Sequence, residues 1–262
     1  MLKKTVEKDV GHRSLLVRSV FKGAFAARNL ALKQGRSAPV SSLLFRPVKE
    51  MLGGRLKLCF SGGGPISAEV QSFIRTAFCS NLVQGYGLTE TCAVGSTQAY
   101  DSNVDSIVGA PNSADEVRLT SCLGELGEFM VWDRDGHPYL PTDTSHLGSK
   151  CRGRGEVWIR GPTVVPGYYM DEQKTNRDFD ENGWFHTGDI GIWTHHGCLQ
   201  IVDRLKNLVK LKGGEYVAIE SMEATYAQSV FVNGGNGGIM CYADGDMDRP
   251  IALVQVRSTA DG

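Results

Sequence analysis

A glutamate after a glycine-flanked tyrosine, an aspartate between glycines and three spaced cations are the residues here whose types could do chemistry. In Gln84-Gly85-Tyr86-Gly87-Leu88-Thr89-Glu90-Thr91, a tyrosine between two glycines can lay its ring face on a planar base. Thr89 offers a hydroxyl, and Glu90 a hard oxygen of the sort that holds Mg2+ beside phosphates. Taken alone, the stretch reads more readily as a packed tyrosine next to a solvated glutamate. In Asn182–Gly191, Asp189 in a glycine-flanked turn can accept hydrogen bonds from a ribose diol. It can equally be an aspartate satisfied by its own turn backbone.

In the run Ile201–Tyr216, Arg204, Lys206 and Lys210 concentrate positive charge where a phosphoryl group or carboxylate could be clamped. Lys206, Leu208 and Lys210 are evenly spaced, so an extended strand would put their side chains on one face. By itself the run reads as a lysine-rich exposed hairpin. Upstream, Ser61-Gly62-Gly63-Gly64-Pro65 would let a ligand lie against bare backbone. A glycine-rich turn is often only a tight connection, and no Lys-Ser/Thr pair follows to make a Walker loop.

The elements that must position these residues are legible in outline. Val17, Val20, Phe21, Ala24 and Phe25 recur at helical spacing, with Arg18, Lys22 and Arg28 elsewhere on the wheel. Leu56, Leu58 and Phe60 alternate as a short strand. After the glycine run comes a helix with an apolar stripe of Val70, Phe73, Ile74, Ala77 and Phe78, N-capped by Ser67 with Glu69 in its first turn. With the strand Leu82-Val83 this makes a β-α-β unit, and the fold class is α/β. From about residue 107 to 202, short β-like runs (Gly127–Trp132, Glu156–Arg160, Cys198–Val202) alternate with Gly, Pro and Asp turns, predicting a mainly antiparallel subdomain. Beyond it, Leu208–Leu211 and Ile251–Val256 read as strands, and Ile219, Met222, Tyr226, Ala227 and Val230 mark a helix.

Composition narrows the class. With 41% hydrophobic and 22% charged residues the chain has the balance of a folded protein, and a net charge of −1 argues against a general nucleic-acid binder. Residues 1–58 nevertheless hold thirteen Lys/Arg against Glu7, Asp9 and Glu50. That flank reads first as a solvated helix face, and second as a surface for anionic lipid or an anionic partner. The seven scattered cysteines include no C-x-x-C pair, which suits reduced thiols. No apolar run reaches the ~18–20 residues that span a bilayer. His195-His196 lacks further ligands at metal spacing, and Asp244–Asp248 lacks the glycine and terminal glutamate of a calcium loop. Both read as solvated turns, and Trp184 and Trp193 as packing residues.

The order and spacing of these stretches resemble the adenylate-forming enzymes, the superfamily of acyl-CoA synthetases, luciferases and nonribosomal adenylation domains. Gln84–Thr91 resembles their adenine and magnesium motif, and Arg152–Tyr169 their Arg-Gly-x-Gly-Glu…Arg-Gly…Gly-Tyr segment. The pieces within Asn182–Glu220 are similar to the long-chain fatty acyl-CoA synthetase signature. The resemblance implies that Gly62, Gly63, Gln84 and Gly85 line the adenylate and that Tyr86 stacks on adenine. It gives Thr89 to phosphate, Glu90 to Mg2+, and Asp189 with Arg204 to ribose. Lys206, Lys210 and Tyr216 would face the nucleotide from a lid, with Thr89, Glu90 and Lys210 as the catalytic group.

The resemblance also implies a truncated adenylate-forming fold: residues 1–202 as the later part of the large domain, residues 203–262 as an incomplete mobile α+β lid, and a hinge at Asp203. It implies ATP, Mg2+ and coenzyme A as cofactors and co-substrate, and a long-chain fatty acid as the partner. Two family parts have no counterpart here, a Ser/Thr/Gly-rich phosphate loop and a far C-terminal lysine. The chain therefore reads as an internal piece with little ligase activity of its own. Medium-chain or aryl ligases and a non-catalytic nucleotide-binding paralogue remain the alternatives. For the parent protein the expected address is the cytosolic side of intracellular membranes such as endoplasmic reticulum, peroxisome or lipid droplet, with membrane contact through a surface patch or a segment outside this chain.

Overall fold

The computed structural model describes residues 2–36, 43–64, 66–78, 81–123, 131–133, 135–213, 216–229, 231–233 and 238–256. The chain forms two units, residues 1–87 with 96–110, and residues 88–95 with 111–262.

In the first unit, β1 (Leu58–Ser61) and β2 (Asn81–Tyr86) pair in parallel, with Ser61 opposite Gln84. Three helices precede them, α1 (Leu2–Gly11), α2 (Leu15–Lys33) and α3 (Arg46–Glu50), and α4 (Ala68–Ala77) is the crossover between the strands. The α4 N-terminus forms as its sequence dictates, with Ser67 Oγ accepting from the Val70 amide at 3.3 Å. Phe73, Ala77 and Phe78 are buried against Val6 and Val48. A short β3 (Ser96–Thr97) runs antiparallel to β2.

Two expectations for this unit need correcting. The buried face of α2 is turned from the predicted stripe: Phe21 and Phe25 pack on the core, while Val17 and Val20 are 45% and 49% exposed. Aromatic contacts decide the face, since Phe21 meets Phe45 at 5.3 Å and Phe25 meets Phe73 at 5.7 Å between ring centres. Arg28, assigned to the open side of the wheel, is buried.

α4 also carries a polar face that its apolar stripe did not reveal. Gln71 donates to Gln84 Oε1 and accepts from the Ser106 amide at 3.0 Å. Arg75 pairs with Asp105 at 2.6 Å and donates to Leu82 O at 3.1 Å and Gln98 Oε1 at 3.1 Å. These buried bonds tie α4 to β2 and to the chain after β3, satisfying groups that burial would otherwise penalise.

β4 (Ala110–Pro111) lies at the boundary of the units. The second unit is built on an antiparallel sheet in the order β5 (Glu116–Thr120), β7 (Ser149–Arg160), β8 (Phe185–Thr194), β9 (Leu199–Arg204), with β6 (Ser145–His146) also on β7. α5 (Glu172–Asp178) precedes β8. The His195-His196 pair is exposed in the hairpin turn from β8 to β9, as predicted. Ile190 packs with Cys122, Val131 and Tyr139, and Val202, Leu205 and Leu208 close over that cluster.

Beyond the sheet, β10 (Leu208–Lys210) pairs with β11 (Tyr216–Ala218), α6 covers Ile219–Tyr226, and β12 (Ile239–Tyr242) pairs with β13 (Ile251–Val254). The predicted run Gly127–Trp132 lies outside the described residues except for Val131 and Trp132, and Val230 lies outside them too. Among the described residues, no helix is long and apolar enough to cross a membrane.

One buried network crosses the second unit. Arg154 of β7, 3% exposed, pairs with Asp133 and Asp143 at 2.6 Å each. It also donates to Pro138 O at 3.1 Å and lies 4.6 Å over the Tyr139 ring. A second cluster runs across three strands, where Arg118 of β5 stands 4.0 Å from the Trp184 ring centre and 4.6 Å from that of Trp158. Trp158 in turn stacks on His186 at 3.6 Å. Trp184 is therefore a packing residue, as predicted.

Candidate functional site

Parallel pairing of β1 with β2 brings the first set of predicted residues side by side. Because Ser61 stands opposite Gln84, the turn at Gly62 and Gly63 leaves β1 beside Gly85. A Cβ on Gly62 would sit 3.6 Å from Gly85 O, and one on Gly85 would meet the Phe60 ring at 2.6 Å. A side chain at Gly85 would have to displace the exposed Phe60 ring, and the carboxyl ends of parallel strands are where open α/β sheets receive ligands. Gln84 contributes differently from the expectation. Its side chain is buried and holds Gln71, and its backbone is engaged by Gln98, the Gln84 amide donating to Gln98 Oε1 at 3.2 Å and the Gln84 oxygen accepting from the Gln98 amide at 2.9 Å.

In the second unit, Thr89–Thr91 forms a single 3-10 turn. Thr91 is buried and closes the turn by accepting from the Leu88 amide at 3.0 Å and donating to Leu88 O at 3.2 Å. Thr89 is left exposed and Glu90 half-buried. The Glu90 backbone oxygen accepts from the Val165 amide at 2.9 Å, and its Oε1 accepts from the Tyr168 hydroxyl at 2.7 Å. Tyr168, which sequence reasoning did not single out, is thus the side-chain partner of Glu90. It is the penultimate residue of the Arg152–Tyr169 segment singled out as a motif, but nothing local shows which side chain it meets 78 positions away.

Asp189 lies within β8, so the predicted turn is in fact a strand interrupted by register shifts on both sides. The β8–β9 pairing puts Asp189 opposite Arg204, and the guanidinium Nε is 2.8 Å from Asp189 Oδ1. Asp189 is 1% exposed, whereas the Arg204 side chain is 44% exposed. The backbone around it is fixed by Thr187, whose Oγ1 donates to Val157 O at 2.7 Å and accepts from the Asp189 amide at 3.0 Å. Gly188, at φ +67°, gives its amide to Glu156 Oε1 at 3.0 Å. Two predicted ribose contacts, Asp189 and Arg204, are therefore joined by strand register.

Asp203, the predicted hinge, accepts from the Arg204 amide at 2.7 Å. Burial, reinforced by the Glu220 and Asp189 carboxylates, pushes its carboxyl above the ordinary aspartate value, against the hydrogen bond from the Arg204 amide. Lys206 is exposed in the 3-10 turn Leu205–Asn207, which corrects the expectation of one extended strand with Lys210. The strand begins only at Leu208, because the Leu208 amide closes that turn on Leu205 O. The backbones of Lys210 and Tyr216 stand opposite each other in the β10–β11 pair, and their side chains lie outside the described residues.

Among the described residues no three His, Cys, Asp or Glu side chains cluster as a metal cage. Glu90 alone, half-exposed with one oxygen engaged by Tyr168, fits a magnesium ion held mostly by phosphate oxygens and water. A cavity of about 630 Å³ in the first unit, floored by Phe21, Phe25 and Phe73, contains none of the predicted site residues.

Residues 15–169 match the family described as AMP-binding enzyme. The chain belongs to that family. This AMP-binding chain is 39% identical over 239 residues to the peroxisomal long chain acyl-CoA synthetase 6 of Arabidopsis thaliana, covering 90% of the chain and 31% of that relative. It is 33% identical over 258 residues to fatty acyl-CoA synthetase B of Dictyostelium discoideum, covering 97% and 35%. The AMP-binding chain thus spans about a third of the length of the curated relatives it matches. Among solved structures, it is similar to the A domain of carboxylic acid reductase from Segniliparus rugosus in complex with AMP and a co-purified carboxylic acid. That match has a TM-score of 0.64 at 27% identity, and covers 91% of this chain and 33% of the other. The O-succinylbenzoate coenzyme A synthetase of Bacillus subtilis shares the fold, with a TM-score of 0.57 at 23% identity, covering 82% and 41%. The α/β adenylate-forming fold read from the sequence is the fold found.

Proposed function

We propose that the chain is the adenylate-binding part of an AMP-forming ligase that joins long-chain fatty acids to coenzyme A. The fatty carboxylate attacks the α-phosphorus of ATP, giving acyl-AMP and pyrophosphate, and the thiol of CoA then displaces AMP. The observation that carries this reading is the 33–39% identity, across 90–97% of the chain, to proteins named as fatty acyl-CoA synthetases.

In this reading Gly62, Gly63 and Gly85 line the adenylate, and Tyr86 stacks on adenine. Asp189 receives the ribose hydroxyls. Its carboxylate is already desolvated, so Arg204 must yield one of its faces to the sugar. Thr89 meets phosphate, and Glu90 holds magnesium, which when bound neutralises phosphate charge. Residues 203–262 are assigned to a mobile lid turning at Asp203, with Lys206, Lys210 and Tyr216 directed to the nucleotide. Intracellular membrane association belongs to the same proposal, through peripheral contact.

The test is calorimetric titration with non-hydrolysable palmitoyl-adenylate and benzoyl-adenylate analogues. The palmitoyl analogue should bind more tightly. Asp189→Asn should weaken it about 10- to 100-fold, the worth of charge-assisted hydrogen bonds. Preference for the benzoyl analogue, or unchanged binding by Asp189→Asn, would refute the reading.

A further inference from the structure

Glu90 has three side-chain torsions and stands on a one-turn 3-10 helix. A carboxylate so placed loses rotamer freedom when a ligand fixes it, unless something has fixed it beforehand. The structure supplies that restraint from one segment, Val165–Tyr168. The Val165 amide holds the Glu90 backbone oxygen at 2.9 Å, and the Tyr168 hydroxyl holds Oε1 at 2.7 Å.

Tyr168 is itself held. Its amide donates to Thr175 Oγ1 at 2.9 Å, its ring lies 3.4 Å from Lys174 Nζ, and its edge packs on Phe179 at 5.6 Å between ring centres. Gly167 lets α5 come this close, because a Cβ there would stand 2.5 Å from the Thr175 methyl. The hydroxyl also faces the Asp178 carboxylate.

We infer that Tyr168 is a positioning residue for the metal-binding carboxylate: its hydroxyl holds Glu90 Oε1, leaving Oε2 as the oxygen that faces a divalent cation. The inference rests on the reading of Glu90 as the magnesium ligand. It gives the Gly167-Tyr168 pair a task that neither its sequence nor its packing requires. Hydrogen-bond partners of this kind orient ligating groups, and their loss typically lowers metal affinity about 10- to 100-fold.

The experiment measures formation of the ternary complex of the 262-residue chain with Mn2+ and ATP by water-proton relaxation enhancement. Tyr168→Phe keeps the ring against Phe179 and Lys174 and should weaken the complex about 10-fold or more. Glu90→Gln should weaken it at least as much, and the double variant should be no weaker than Glu90→Gln alone. If Glu90→Gln binds Mn2+ and ATP like the unsubstituted chain, or that chain forms no such complex, the reading of Glu90 falls and this inference with it. If Glu90→Gln is weakened while Tyr168→Phe stays within about twofold, below the effect of a ligand-orienting partner, Tyr168 is not the positioning residue though Glu90 remains the ligand. A loss in Tyr168→Phe that adds in full to that of Glu90→Gln also overturns the inference, since effects transmitted through Glu90 cannot add to its removal. That last comparison decides the matter even if Tyr168→Phe is less stable.

Discussion

Replacing Arg154 by methionine should destabilise the second unit by about 3 kcal/mol, near the low end of the range for removing one partner of a buried ion pair. Methionine can fill the space of the arginine stem over Tyr139, so the loss is mainly electrostatic. The side chain of Asp133 is 5% exposed and loses its counter-charge, while that of Asp143, 20% exposed, can recover some water. Asp133 keeps backbone bonds from Asp135 at 3.0 Å and His137 at 2.9 Å, which tilts the estimate downward. Burial alone would raise the Asp133 carboxyl, yet the His137 amide and the Arg154 guanidinium hold it below its ordinary value. The ion pair therefore stabilises the fold above the unfolded aspartate value, and its contribution fades as pH falls below ~4.

All four tryptophans, Trp132, Trp158, Trp184 and Trp193, belong to the second unit, so selectively excited tryptophan fluorescence follows that unit alone. For a unit of this size ~3 kcal/mol lowers Tm by about 6–12 °C. Adding Asp133→Asn to Arg154→Met should recover part of the loss by removing the orphaned charge. A Tm change below about 2 °C, corresponding to less than ~1 kcal/mol, or no recovery in the double variant, would show that the network is not what holds these loops.

Two further outcomes follow from ionisable groups. Asp203→Asn should stabilise the chain at neutral pH, with the gain vanishing below about pH 4, in urea melts at the two pH values. Because the folded-state carboxyl is raised by burial, by Glu220 and by Asp189, the folded chain binds the extra proton and stability falls as pH rises through that value; a gain that persists at acid pH would contradict this. Iodoacetamide at pH 8, read by mass spectrometry, should label exposed Cys92 and spare Cys122, whose thiol is pushed up to about 12 by burial and then by Glu156.

Local signals in the sequence were sufficient where the structure is local. The Ser67 cap, the α4 stripe and the glycine turn after β1 are each decided within a few residues, and each forms as read. The α2 face was not legible, because Val17, Val20, Phe21 and Phe25 are all apolar and only the rings of Phe45 and Phe73 select among them. Lys206 was misplaced for a related reason, since no glycine or proline marks the 3-10 turn that breaks the alternation before Leu208. Arg154 with Asp133, and Tyr168 with Glu90, are side-chain meetings 21 and 78 positions apart, beyond the reach of periodicity.

The same contrast of range separates the two carboxylates that matter most. Asp189 meets Arg204 because β8 and β9 are consecutive strands of one hairpin, closed by the Thr194 amide on Cys198 O at 2.9 Å. Once that hairpin is in register, the pair is made by its own segment, and one motif carries both the acid and its partner. Glu90 has no such local partner: its turn is closed by Leu88 and Thr91, neither of which restrains its carboxylate. Both its backbone and its side chain are held by a strand-to-helix connection far along the chain. The placement of Asp189 is therefore a property of a hairpin, and that of Glu90 a property of the folded unit. A perturbation that loosens the Val165–Tyr168 connection should reach Glu90 while leaving the Asp189–Arg204 pair in place.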